Sequence, residues 1–169
     1  MKIGMRNFKT SLSVALCILI LGIIGIKQPF FACMTAVFTM QANVSTSFKA
    51  GLNRFLGTLA GAVIGTAFAA LGTRWPLESF LLKALVIPLG LMFIIYLLNQ
   101  LKLRDSIFIA GIVYFDLMLR VDPALLSHYA VSRTSLTAFG AVVALLVNRY
   151  VFPPETELRR KKPGQFSTQ

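Results

Sequence analysis

The sequence has few charged residues, and acidic residues are the scarcest of them. Only 14% of the 169 residues are charged, with six Asp or Glu against seventeen Lys or Arg. An average soluble domain has roughly one quarter charged residues, and a soluble helical domain needs them to cover its outer faces. Hydrophobic residues instead make up 56% of the chain, in runs that recur up to Phe152. This composition predicts an all-α integral membrane protein.

Cysteine and histidine are also rare, which limits the chemistry that the chain can carry. Cys17 and Cys33 both lie inside apolar runs, where a cysteine acts as a small hydrophobe, and the one histidine is His128. The sequence has no metal-ligand spacing and no paired nucleophile and base. We therefore predict no enzyme activity, no cofactor and no metal site.

The net charge of +11 raises the question of a nucleic-acid partner. The Lys and Arg residues lie between the apolar runs and at the chain ends, and they form no basic face interleaved with exposed aromatics. That distribution is typical of the loops of a membrane protein. We predict the lipid bilayer as a partner and exclude nucleic acid.

Six apolar segments have close to the roughly twenty residues that cross a bilayer as a helix. They cover residues 10–26, 30–47, 54–72, 80–99, 106–121 and 132–152, within one transmembrane domain over 1–152. Residues 153–169 are predicted to form a disordered basic cytoplasmic tail. The N-terminal Lys2, Arg6 and Lys9 before an apolar run are similar to a signal peptide, but we interpret the run as an uncleaved first span.

The orientation follows from the Lys and Arg residues in the short loops. With the N-terminus inside, twelve of the seventeen basic residues are cytoplasmic. The other five are Lys27, Arg74, Lys83, Arg120 and Arg133. We therefore predict a multi-pass protein of the cytoplasmic membrane with both termini in the cytoplasm.

An internal repeat divides the chain into halves. The segments "RFLGTLAGAVIG" from Arg54 and "RTSLTAFGAVVA" from Arg133 share Arg, then Thr four residues on, then Gly-Ala-Val or its equivalent, at an offset of 79 residues. Three spans per half would put the halves in opposite orientations, as in the inverted repeats of many secondary transporters. The predicted fold is thus six transmembrane helices in two inverted three-helix repeats.

Residues 39–58 are unusually polar for so apolar a chain. At about 100° per residue, Arg54 and Thr58 share a helical face with small residues, and Arg133 and Thr137 do the same in the sixth span. In the second span, a single stripe would hold Thr35, Thr39, Asn43, Thr46 and Ser47. Two interpretations remain open, namely close helix packing through small residues and a partly hydrated cavity lined by spans two, three and six. Packing is the expected role of Gly57, Gly61, Gly65 and Gly140.

The order of these motifs resembles the membrane part of the bacterial aromatic acid exporter family, within the fusaric-acid-resistance superfamily. The resemblance covers residues 1–154, and its most specific part is "QANVSTSFKAGLNRFLGTLAGAVIG". It implies proton-driven efflux of aromatic or other amphipathic carboxylates. Family members often carry a helical cytoplasmic domain after the sixth span.

A carboxylate substrate needs a cation, because an unpaired buried carboxylate is very costly. Arg54 and Arg133 are the candidate cations, and the alternative for either one alone is a topological anchor whose side chain reaches the headgroups. The full set of predicted substrate-binding residues is Thr39, Gln41, Asn43, Lys49, Arg54, Thr58, Arg133 and Thr137.

Asp116 is the one acid well inside an apolar run. It is a candidate carrier of the coupling proton, since desolvation favours the protonated carboxyl group. The alternative is an ion pair with Arg120, one helical turn later. Pro88 is expected to kink the fourth span.

Two functions of different classes follow. The first is a secondary exporter of small organic anions across the bacterial cytoplasmic membrane. The second is a membrane scaffold or assembly subunit that transports nothing. Because six spans enclose little space for a ring-sized solute, we also expect a homo-oligomer, a dimer or larger.

Overall fold

The computed structural model describes residues 5–26, 28–72, 80–120 and 125–151, and six α-helices account for most of them. The helices are α1 (Met5–Ile23), α2 (Phe30–Thr39), α3 (Val44–Gly72), α4 (Phe80–Gln100), α5 (Ile107–Arg120) and α6 (Leu126–Tyr150). A 3₁₀ turn over Arg104–Ser106 precedes α5. These ranges contain no β-strand, so the predicted all-α class is confirmed.

Two helices are long and apolar enough to cross a bilayer, over Val44–Leu71 and Leu126–Tyr150. Three shorter apolar helices cover Asn7–Ile23, Phe30–Thr39 and Ala84–Gln100. At about 1.5 Å per residue, the ten residues of α2 span roughly half of a 30 Å hydrocarbon core. The predicted tail, residues 153–169, lies outside the described residues.

The polar stretch interrupts the helix that the sequence predicted over 30–47. Helix α2 ends at Thr39, and Met40 is extended with a ψ of 102°. The Gln41 N–H then donates to the Ser47 side-chain oxygen at 2.9 Å, and α3 begins at Val44, directly after Asn43. Asn is favoured at this position because its side chain competes with the backbone for hydrogen bonds. The polar residues that were predicted to form a single stripe on one helix therefore lie on α2, on α3 and in the link between them.

The chain divides into two compact units, and α3 and α6 contribute to both. Unit 1 comprises residues 1–51 and 139–169. It contains α1, α2, the first turns of α3 and the second half of α6. Gly140 packs on the backbone of Ala32, and Gly51 packs between Thr39 and Ala141. These contacts bring three helices together at small residues, where backbones approach closely.

Unit 2 comprises residues 52–138, with most of α3, all of α4 and α5, and the first half of α6. Its core contains Ile64, Ile94, Leu98, Ala110 and Tyr114. The Tyr114 hydroxyl donates to the Ile87 carbonyl oxygen at 3.1 Å. Pro88, the predicted kink, lies inside α4, which continues through it.

Helix α3 lies along α5 in unit 2 through three glycines. A Cβ on Gly57 would lie 2.6 Å from the Ser106 carbonyl oxygen, and one on Gly65 would lie 2.9 Å from a Leu117 methyl group. Gly61, between them, faces the backbone of Ala110. The residue numbers of these contacts increase in the same order on both helices, so α3 and α5 run in the same direction. The three glycines thus lie at contacts between α3 and α5.

Candidate functional site

A buried polar cluster in unit 2 joins the end of α5 to the start of α6. Asp116 accepts hydrogen bonds from the Tyr129 hydroxyl and from the Arg133 guanidinium. The Arg133 guanidinium also donates to the Tyr129 hydroxyl oxygen at 2.8 Å. The side chains of Arg133 and Asp116 are 8% and 18% exposed. We call Asp116, Tyr129 and Arg133 the acidic triad.

The geometry of α6 explains how two members of the acidic triad reach one carboxylate. Tyr129 and Arg133 are four residues apart, so they lie on the same helical face. The guanidinium carbon of Arg133 lies 5.9 Å from the centre of the Tyr129 ring, within cation–π range. Asp116 comes from α5. The sequence offered Arg120 as the partner of Asp116, but Arg133 fills that role, and the Arg120 side chain lies outside the described residues.

In the acidic triad, Arg133 already binds one carboxylate, that of Asp116. A guanidinium has five N–H donors in a planar fork that fits a carboxylate, and Asp116 supplies that carboxylate in this structure. Tyr129 donates to the acid and accepts from the base, which fixes both groups. Protonation of Asp116 would remove its charge and leave Arg133 able to bind another carboxylate.

Three further predicted site residues belong to unit 2. Thr58 and Thr137 are buried, at 2% and 3% exposure. Arg54 is half-buried. The predicted cations thus occur in one unit, and Arg133 has the acid partner that the sequence did not assign to it.

A second buried polar cluster lies in unit 1 and centres on Asn148. Its amide nitrogen donates to the Ser47 hydroxyl oxygen at 2.8 Å and to the Gln41 carbonyl oxygen at 3.2 Å. Its amide oxygen accepts from the Lys9 ammonium at 3.3 Å. Lys9 is 7% exposed and Asn148 is 1% exposed. We call Lys9, Gln41, Ser47 and Asn148 the amide cluster.

Sequence reasoning found only part of the amide cluster. It named Gln41, which contributes its backbone groups, and it named Ser47 in the polar stripe of the second span, but it treated Lys9 as a basic residue of the cytoplasmic side. Lys9 and Asn148 are 139 residues apart, so no spacing rule could pair them. A lysine one turn inside an apolar helix was the available signal.

The other predicted residues of unit 1 differ in exposure. Thr39 is fully buried, and its hydroxyl has no hydrogen-bond partner among the described residues. Asn43 and Lys49 are exposed. Asn43 accepts from the Thr46 hydroxyl through its backbone oxygen at 2.9 Å. The eight predicted substrate-binding residues therefore belong to two units, Thr39, Gln41, Asn43 and Lys49 to unit 1 and Arg54, Thr58, Arg133 and Thr137 to unit 2.

No group of three or more His, Cys, Asp or Glu side chains that could hold a metal ion occurs among the residues described.

A family model for "Aromatic acid exporter family member 1" matches residues 1–151. A UPF0421 protein of Oceanobacillus iheyensis is 31% identical over 153 residues, which cover 90% of this chain and 41% of that protein.

The UPF0421 protein YgaE of Bacillus subtilis is 28% identical over 159 residues, which cover 94% of this chain and 42% of that protein. A UPF0421 protein of Bacillus cereus is 30% identical over 157 residues, which cover 90% of this chain and 40% of that protein. The chain thus spans about two fifths of the length of these relatives. No solved structure matches it.

Proposed function

Because the chain belongs to the aromatic acid exporter family, we propose that it exports aromatic or amphipathic carboxylates across the bacterial cytoplasmic membrane by a proton-coupled mechanism that carries a proton and the anion together. The acidic triad is the observation that carries this proposal. It places a guanidinium and a carboxylate in contact inside an apolar bundle, where ionisable groups are costly and are kept mainly for function.

In the proposed mechanism, Asp116 and the substrate carboxylate compete for Arg133. An ionised Asp116 neutralises Arg133. A proton on Asp116 removes that charge, and the substrate carboxylate then pairs with the two-point fork of the guanidinium. Tyr129 keeps Arg133 oriented during the exchange, since it contacts Arg133 as well as Asp116. One proton and one anion are therefore bound at the same time and cross the membrane together.

The proposal includes six membrane spans with both termini in the cytoplasm. The parallel contacts of α3 with α5 in unit 2 support alternating spans, since one intervening helix restores the direction of the chain. In unit 1, Ser47 and Gly51 of α3 meet Asn148 and Ala141 of α6 in reverse order, which fits spans of opposite direction. The inverted repeat and a homo-oligomeric assembly are parts of the proposal that these contacts do not address.

Transport by the purified chain in proteoliposomes tests the proposal. A panel of aromatic carboxylates is loaded inside, and efflux is measured with and without an acidic interior, after subtraction of protein-free vesicles. We expect acidification to accelerate efflux by the unsubstituted protein. Asp116→Asn should lose that acceleration, because an amide cannot exchange a proton in this range.

Arg133 variants and a matched control complete the experiment. Arg133→Gln should lower efflux about a hundredfold, and Arg133→Lys should retain part of it because it keeps the charge without the planar fork. Arg149→Gln removes an exposed cation from the same helix and should leave efflux unchanged. Full proton-driven efflux by Asp116→Asn would refute the mechanism, and no efflux of any acid by the unsubstituted chain would favour the scaffold alternative.

A further inference from the structure

We propose that Lys9 is a second carboxylate-binding residue, held in place by Asn148 within the amide cluster. This proposal rests on the proposed function for its choice of ligand, a monoanionic aromatic acid. Lys9 and Arg133 are each 7% exposed, yet of these two side chains only Arg133 has an acid beside it among the described residues.

Unit 1 offers Lys9 no counter-ion among the residues described. Within residues 5–26, 28–51 and 139–151 there is no Asp or Glu. An ammonium group has three N–H donors. One of them meets the Asn148 amide oxygen at 3.3 Å, and the described residues supply no acceptor for the other two. A buried charge in this situation is unfavourable unless an anion or water completes its shell.

Asn148 positions the ammonium without neutralising it. Its amide nitrogen is committed to Ser47 and to the Gln41 carbonyl oxygen, so the amide plane is fixed and its oxygen faces Lys9. A carboxylate in place of the Asn148 amide would form an ion pair with Lys9 and neutralise its charge. A neutral amide leaves the full positive charge for a ligand, which is what an anion-binding residue requires.

The charge of the site selects the class of anion. One lysine balances one negative charge, and the other members of the amide cluster are neutral. The remaining cations of unit 1 whose exposure the structure gives, Lys49 and Arg149, are exposed. A monoanionic carboxylate therefore fits the site better than a phosphate dianion, which would bring an uncompensated charge into a buried position.

Direct binding measurements separate this site from the transport mechanism. The purified chain is placed in nanodiscs of phosphatidylcholine, and Arg133 has Asp116 as its partner there. Benzoate is the probe, and benzamide is its neutral isostere. We expect the unsubstituted chain to bind benzoate in preference to benzamide, and Lys9→Gln to weaken benzoate binding about tenfold or more while benzamide is unaffected. Lys9→Arg should restore most of the affinity.

Asn148→Asp provides a second test that does not remove the lysine. The introduced carboxylate is nearly isosteric and pairs with Lys9 internally, so benzoate affinity should again fall about tenfold. Arg149→Gln, which removes an exposed cation from the adjacent position, should stay within about twofold of the unsubstituted chain. Circular dichroism and size-exclusion profiles check that each variant is folded.

Each outcome bears on a different claim. Unchanged benzoate affinity in folded Lys9→Gln, or in Asn148→Asp if Lys9→Gln does not fold, overturns the Lys9 site, and so does an absence of benzoate binding by the unsubstituted chain. If benzoate binds through Lys9 but no proton-driven efflux occurs in proteoliposomes, the exporter function fails and the site stands. If efflux proceeds and Lys9→Gln leaves both efflux and binding unaltered, the function stands without this site.

Discussion

The two units of the molecule resemble each other in packing and differ in charge. In each unit a glycine faces a backbone carbonyl of a neighbouring helix, Gly61 facing Ala110 in unit 2 and Gly140 facing Ala32 in unit 1. Among the described residues, each unit also has one buried long cationic side chain, Lys9 in unit 1 and Arg133 in unit 2. In unit 2 the cation contacts a carboxylate, whereas in unit 1 it contacts a neutral amide.

This difference shows that close helix packing does not determine whether a buried cation has a counter-ion. Small residues let helices approach whatever polar groups they carry, so both units reach a similar density of contacts. The charge of a buried cation is neutralised only if an acid lies next to it. In unit 2, Asp116 is that acid for Arg133. The acidic triad is complete by itself, and the amide cluster has a positive charge that another group can balance.

The largest effect should come from breaking the balanced pair. Arg133→Gln leaves Asp116 buried without its cation and should lower the free energy of unfolding by about 3–5 kcal/mol. Asp116→Asn in the same molecule removes the unpaired acid and should recover most of that loss. Unfolding by denaturant in detergent micelles measures both values. If the double variant is no more stable than Arg133→Gln alone, the two residues do not form an energetic pair.

We expect substitution of the contact glycines to lower the free energy of unfolding by the same amount in both units. Gly61→Ala and Gly140→Ala each place a methyl group against a backbone carbonyl, and each should lower the unfolding free energy by about 1–3 kcal/mol. Gly111→Ala is the control, because its Cβ would meet only a Leu91 methyl group at 3.4 Å. Thermal unfolding of the three variants tests this, and a harmless Gly140→Ala would show that unit 1 is more loosely packed than unit 2.

The smallest effect should come from removing the unbalanced cation. Lys9→Met breaks no ion pair among the described residues and replaces a buried charge by an apolar chain of similar length. We expect a change in unfolding free energy of less than about 1 kcal/mol without added acid, and of either sign. Benzoate should then stabilise the unsubstituted chain but not the variant. A loss in Lys9→Met as large as that in Arg133→Gln would mean that the two cations are equally paired.

Local patterns predicted much of the fold, because hydrophobic run length and glycine spacing are properties of neighbouring residues. The all-α class and the packing positions of Gly57, Gly61 and Gly65 were accessible in this way. The end of α2 at Thr39 was not, because apolar and polar residues continue in helical register across residues 40–43. The hydrogen bond between Gln41 and Ser47 that accompanies this break depends on local geometry that periodicity does not report.

The sequence by itself determined which residue types are available for chemistry, since a chain with one intramembrane acid and few buried cations has few possible pairs. Arg133 and Asp116 were both recognisable as costly groups inside apolar runs. Only the tertiary structure decided that they contact each other and that Lys9 contacts Asn148 instead of an acid. Side chains 17 and 139 residues apart meet because helices pack, and the charge balance of a buried group is set by those neighbours and not by the residues beside it in the chain.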